Sequence, residues 1–469
     1  MRNLFVSLCL VALFLEISGL IWSSDKAKPN ATFLKLSEPP ARTIENPLEN
    51  GYFLLLGFAA SSGLHPVQVG YDIWLESDTN LSQREFDLDK PGRSELRIPV
   101  ALDHVVPEWN LADPVTEFQR GNALFRTSVT RYRPLLKRYE QWLQMRFEDW
   151  GYARRGVPRV EEILGAHRLY IADGFGQQTK IGLERLATDV SRWRLVLREA
   201  RTLSMKILAE VIVEDDIQLI SRILSHMAVD REVLTRGMNL LQPLTPSEYS
   251  LRWPIQSQFV LGYAFGQHPE LDFLPHDEVN SPPIESLARA AHLHPAMFRS
   301  IEHPRIPNFF GFASSSQRTW DTYAAFYEAT IKAADSVHSP LPKLQDVVRH
   351  SQMTLLERIV NPLEFSPNWE PFSQRLVETD ARLRLVSLQV LMRSPTATVS
   401  MPTRLAEVGS MYFDPFTGLP MLWSPTQRKL YSVGKDRLDD GGDPTFDISV
   451  PIAIAMDSST SNGPRSTRH

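Results

Sequence analysis

The chain has 469 residues, 43% of them hydrophobic and 10% aromatic, which is enough apolar material for packed cores and excludes a collagen-like, low-complexity or wholly disordered protein. A net charge of −5 leaves no global basic field for nucleic acid, and the single cysteine excludes a disulfide framework, a cysteine-built zinc site and an iron–sulfur cluster. The 34 prolines each remove an amide donor and fix φ, so helices of moderate length between proline-marked turns are expected.

From Leu4 to Trp22 the chain is apolar apart from Ser7, Glu16, Ser18 and Gly19. A helix of that length, at ~1.5 Å per residue, nearly crosses a hydrocarbon core of ~30 Å. Leu20, Ile21 and Trp22 stand where the small residues of a cleavage site belong. Residues 1–22 are therefore expected to be an uncleaved transmembrane signal anchor, with 4–22 in the membrane. Glu16, costly inside lipid, reads as a carboxylate near the interface or as one satisfied by a partner helix or polar group.

Residues 23–50 carry Pro29, Pro39, Pro40 and Pro47 among small and polar side chains, which predicts an extended linker. Gly51 to Phe58 is densely apolar and too short to span a bilayer, so it is the first expected buried element of a globular body. Residues 63–70 read as loop or turn. The stretch 75–113, rich in acidic residues and serine with Pro91, Pro99 and Pro107, reads as irregular surface chain.

The middle is expected to be helical from Pro114, whose missing amide proton suits an opening turn. Leu136, Leu143, Phe147 and Trp150 share one helical face, and Gly151 ends that helix. A second helix over 158–171 opens on Pro158, with Glu161 and Glu162 placed favourably against its N-terminal dipole. Gly174-Phe175-Gly176 is expected to break it. Between Thr179 and Met227 there is no proline, and Leu186, Trp193, Leu197, Leu208, Ile212 and Leu219 recur at helical intervals, which predicts one long or two stacked helices. Further helices are expected near 231–241, 247–266, 316–336 and 371–393.

Residues 120–206 hold 18 lysines and arginines against 9 aspartates and glutamates. Arginines at 131, 133, 138, 146, 154, 192, 194, 198 and 201 alternate with core positions, so the charge reads first as a solvated helix face. Without a recognised motif it gives no case for nucleic acid.

Catalytic motifs are absent: there is no phosphate-binding Gly-x-x-x-x-Gly-Lys-Ser/Thr, no His-Glu-x-x-His and no Gly-x-Ser-x-Gly. The densest histidine cluster is His268, His276, His292, His294 and His303, interleaved with Asp272, Asp277, Glu278 and Glu285. Imidazoles with carboxylates suit zinc or general-base chemistry. His292 and His294, two apart at a helix end, diverge around a helix and read as surface or capping residues.

At the C-terminus a helix over 371–393 presents Phe372, Leu376, Leu383, Val386 and Val390 on one face. Asp414-Pro415-Phe416-Thr417-Gly418-Leu419-Pro420 is a turn. Met421–Trp423 and Lys429–Val433 then read as the two strands of a small hairpin, with Asp447–Val450 as a last strand. Between them five aspartates fall among glycines, at 436, 439, 440, 443 and 447. Clustered carboxylates and backbone carbonyls are the oxygen ligands that a hard cation takes.

Asp-Pro-Phe-x-Gly-x-Pro followed by Tyr431-Ser432-Val433-Gly434, Asp436, Gly441-Gly442 and Asp447-Ile448 resembles the C-terminal half of the major pseudopilins of type II secretion, over about 80 of the 469 residues. The resemblance implies a helix followed by a small sheet and a calcium loop. It places Asp436 and Asp447 as carboxylate ligands, the carbonyls of Val433 and Leu438 nearby, and Asp443 or Asp440 as further ligands. The whole chain is similar to membrane-anchored bacterial proteins that carry such tails.

These readings give a mainly α fold. A transmembrane anchor at 1–22 is followed by a linker at 23–50 and a multi-helix body at 51–370. A helix plus hairpin with an acidic loop at 371–455 forms a small C-terminal α+β element, and 456–469 is a disordered tail. The expected role is structural or interactive, in a single-pass membrane-anchored envelope protein whose bulk is periplasmic and whose partner is another envelope protein. The alternative is a metal-dependent hydrolase using the 268–303 histidines.

Overall fold

A computed structural model describes residues 28–79, 96, 98, 113–121, 123–154, 157–226, 238–267, 282–293, 317–336, 339–351, 368–393 and 399–452. In chain order its helices are α1 (Ala31–Ser37), α2 (Gly51–Leu56), α3 (Pro66–Thr79), α4 (Pro114–Arg120), α5 (Ala123–Arg131), α6 (Arg133–Gln144), α7 (Val160–Gln177) and α8 (Thr179–Glu199). There follow α9 (Leu203–His226), α10 (Pro246–Tyr249), α11 (Arg252–Gln267), α12 (Pro282–Ala290), α13 (Gln317–Ala334), α14 (Leu344–Arg349), α15 (Glu370–Leu391) and α16 (Met401–Glu407). Three strands close the chain: β1 (Leu422–Ser424), β2 (Lys429–Ser432) and β3 (Ile448–Pro451). The chain divides into two compact units, the first made of 1–107, 118–213 and 244–376, the second of 108–117, 214–243 and 377–469.

In the first unit every residue of α2 is buried, as its apolar run requires. Asn50 caps it by accepting the Tyr52 amide at 3.1 Å, while its own Nδ2 donates to the Glu148 carbonyl at 2.8 Å. Of the expected loop at 63–70, residues 63–65 are turn, bend and loop, whereas 66–70 are the start of α3, which opens on Pro66. Gly70 lies inside that helix because α2 and α3 touch there: a Cβ on Gly70 would stand 1.8 Å from the Phe53 carbonyl oxygen. Glycine here serves close approach, not a turn.

Gly174 and Gly176 likewise fail to break α7. The helix runs on to Gln177, and Gly174 faces Gly182 of α8, where a side chain would meet the Arg185 stem at 2.7 Å. Two helices occupy 179–226. The joint between them is held by Asp149, whose Oδ2 accepts the amides of Arg201 at 2.8 Å and Thr202 at 2.9 Å. Burial pushes the Asp149 carboxyl up, and these donors oppose the rise.

Within the expected linker, residues 31–37 are helical. Phe33 stands edge-on to Phe259 and Tyr263, with ring centroids 5.6 and 5.0 Å away, and Lys35 Nζ donates to Glu328 at 2.9 Å. The basic stretch also turns partly inward. Arg138 is buried and donates to the carbonyls of Phe58 at 2.7 Å and Ala60 at 2.6 Å, while Arg201 donates to Glu148 at 2.8 Å.

The second unit holds the sheet, antiparallel in the order β1-β2-β3. Leu422 pairs with Tyr431, and Ser432 with Ile448. Gln389 of α15 ties this unit together by donating to the carbonyls of Ser221 at 3.0 Å and Pro451 at 2.7 Å. The hairpin and last strand stand within a residue or two of where the sequence predicts them.

Among the described residues no helix is long and apolar enough to cross a membrane. Even α9, the longest, carries Lys206, Glu210, Glu214, Asp215, Asp216 and Arg222, whose charges a bilayer core would not accept. This corrects the expectation of a single-pass, periplasmic membrane protein with a signal anchor. The segment 4–22 on which that expectation rested lies outside the described residues, as does the tail 456–469.

Candidate functional site

The loop between β2 and β3 contains the sequence-derived candidates, and most of its carboxylates are used locally. Asp436 Oδ1 accepts the Leu438 amide at 3.1 Å, Asp439 Oδ1 the Gly441 amide at 3.0 Å, and Asp443 Oδ1 the Thr445 amide at 2.9 Å. Each is an aspartate folding its own backbone two residues on. Asp440 is exposed, as is Leu438, whereas Val433 is buried with its amide donating to Asp414 at 3.1 Å.

Asp447 is the buried member, and its Oδ2 accepts the Gly442 amide at 2.7 Å. Burial, with Asp440 and Asp439 nearby, raises its carboxyl against the pull of that amide. Its Oδ1 is buried with no hydrogen-bond partner among the described residues, an orphaned acceptor of the kind a cation would satisfy. Yet among the described residues no three of the tail's carboxylates approach within 4.8 Å of one another. A hard cation wants six to eight converging oxygens, so the side chains as placed do not fit calcium. Burial followed by Asp439, which accepts the Tyr431 hydroxyl at 3.0 Å, pushes that phenol up to about 12.

His292 is exposed just past the end of α12, with φ at 51°. His268, His276, His294 and His303 lie outside the described residues.

The first unit contains a polar chain that sequence reasoning missed. Trp193 Nε1 of α8 donates to the Tyr139 hydroxyl of α6 at 2.6 Å. That hydroxyl donates to Asp189 Oδ1 at 2.7 Å, and Asp189 Oδ2 lies 2.9 Å from His167 Nδ1 of α7. All four side chains are 0% exposed, so the chain pins three helices from inside. An imidazole and a carboxylate are donors that metals and acid–base catalysts use. Here both are closed off from solvent and engaged with each other. The signal that could have found them is an ionisable residue at a position in phase with the apolar face of its helix, His167 four residues after Ile163 and Asp189 four before Trp193.

A second internal centre surrounds Glu248, whose carboxylate takes the Arg194 fork at 2.7 and 2.8 Å and closes a capping box with Thr245. Burial would raise this carboxyl, but Arg194 and Thr245 outweigh it and hold it below the usual range. Lys206, 1% exposed, donates to the carbonyls of Leu197 at 2.8 Å and Glu248 at 2.6 Å. Burial drags its ammonium down to about 7, against the opposing attraction of Glu248 and Asp335.

Compared with protein-family models, curated proteins and solved structures, the chain matches none.

Proposed function

We propose that the chain is a binding protein that docks a protein partner through the loop end of its C-terminal sheet. The turn 414–420 leads into β1 and the loop 433–447 joins β2 to β3, so both emerge at the same end of the sheet. Asp414 fastens one to the other by accepting the amides of Phe416 at 2.9 Å and Val433 at 3.1 Å.

The observation that carries the reading is what these two loops expose. Leu419 and Leu438 are each 64% exposed and Phe446 is 56% exposed, among the exposed carboxylates of Asp436, Asp439, Asp440 and Asp443. Isolated surface leucines are ordinary, but three large apolar side chains on two tied loops match the surface left open for association. Their acidic surroundings favour a partner that is basic around an apolar centre. The buried ionisable groups of the first unit, by contrast, serve its own helices.

A photo-crosslinking residue at position 438, compared with the same residue at exposed Leu64, tests this reading. The expected adduct forms from 438, and Asp439→Lys with Asp440→Lys weakens it several-fold. Equal yields from 438 and 64 would count against it.

A further inference from the structure

The first unit carries a surface site of different chemistry around Trp74. Trp74 of α3 and Trp150 pack with ring centroids 5.4 Å apart, and Phe53 stands edge-on to both at 5.8 and 5.2 Å. Tyr71 stacks on Trp74 at 5.7 Å. Both indoles are buried, so this aromatic group is a rigid floor.

Two guanidiniums lie on that floor. Arg154 Cζ is 3.8 Å from the Trp74 ring centroid, while Arg42 Cζ is 4.2 Å from that of Trp150 and 5.4 Å from that of Trp74. Each gains cation–π attraction from the rings. Both are held from behind. Arg154 Nη1 donates to the Trp74 carbonyl at 3.0 Å. The backbone on either side of Arg42 is fixed, since Glu148 accepts the amides of Thr43 and Ile44 at 3.0 and 2.9 Å and Arg201 donates to the Ala41 carbonyl at 2.9 Å.

Among the described residues Arg154 and Arg201 repel Arg42, while Glu148 and then Tyr71 act in the opposite direction. Glu148 is already engaged with Thr43, Ile44 and Arg201. Arg42 itself is exposed, and its guanidinium makes no hydrogen bond to an acceptor among the described residues. A flat fork of N–H donors, stacked on aromatic rings on an exposed residue beside a second cation, is an arrangement that binds planar or tetrahedral oxyanions.

We propose that Arg42 and Arg154, stacked on Trp74 and Trp150, form an oxyanion-binding site that takes a phosphate or carboxylate group of a ligand. Stacking removes the entropy cost that two free arginines would meet on converging. The anion offsets the repulsion between them and accepts from the Arg42 fork. This site stands apart from the loop-end reading and does not depend on it.

Calorimetric titration of the full-length protein with inorganic phosphate tests the proposal, with succinate as the carboxylate arm and sodium chloride matched for ionic strength as the control. The expected result is saturable binding of phosphate, of succinate or of both, with the stronger one naming the ligand class. Arg42→Gln, on an exposed side chain, is expected to weaken that binding by at least about tenfold at unchanged melting temperature, the loss of a charge-assisted hydrogen bond. Arg120→Gln, an exposed arginine on another element, is expected to change nothing. No binding beyond chloride, equal affinity in Arg42→Gln and wild type, or an equal loss in Arg120→Gln would each overturn the proposal.

Discussion

His167 Nδ1 and Asp189 Oδ2 meet at 2.9 Å with both side chains sealed from solvent. Taking away one partner removes a buried hydrogen bond and leaves a polar atom of the other unsatisfied, which costs about 1–3 kcal/mol. Asp189→Ala is expected to lower the free energy of unfolding by about that amount, since it also removes the carboxylate oxygen to which the Tyr139 hydroxyl donates at 2.7 Å. Urea denaturation measures it, and an unchanged midpoint would refute a structural role for the pair.

Gly70→Ala should destabilise although alanine is the better helix former. Its Cβ would stand 1.8 Å from the Phe53 carbonyl oxygen, which is backbone and cannot swing aside. A loss of more than about 2 kcal/mol is expected. Gly63→Ala, with nothing within 4 Å of its Cβ, should stay within about 0.5 kcal/mol. Thermal melting of the two variants side by side decides it.

Lys206 predicts a pH dependence of known sign. Its folded value lies near 7 against an ordinary 10.5, so between those limits the unfolded chain holds a proton that the folded chain does not. Stability from this group therefore rises with pH across about 7 to 10.5 and is flat below. Lys206→Met should remove that rise while leaving the Leu197 and Glu248 carbonyls without their donor. Parallel denaturation curves for wild type and variant across the window would contradict this.

The tail is expected to be indifferent to chelation. Asp436, Asp439 and Asp443 already accept backbone amides of their own loop. Addition of EDTA should leave the melting temperature unchanged. A fall of several degrees, restored by calcium, would show that the orphaned Asp447 Oδ1 joins a cation site after all.

Much of the fold was legible wherever periodicity and punctuation agreed. Phe372, Leu376, Leu383 and Val386 mark α15, and the short runs Met421–Trp423 and Lys429–Val433 mark the hairpin. Reading failed where one residue type answers to two causes. Gly70 and Gly174 looked like breaks because glycine marks turns, but both sit in helices at points where another element leaves no room for a side chain. The polar chain was hidden for another reason. Tyr139, His167, Asp189 and Trp193 belong to three helices, and no local spacing connects residues that meet only once those helices pack. Arg42 was equally silent, because its role depends on Trp74 and Trp150 lying beneath it.

The loop-end docking surface is tested most directly by the size of the complex the protein forms in a native extract. Gel filtration of wild type and of Leu438→Ser with Phe446→Ser, at matched concentration and equal melting temperature, separates the outcomes. Wild type is expected to elute in a larger assembly and the double variant at the position of the free chain. Identical elution of the two would contradict the binding role assigned to these loops.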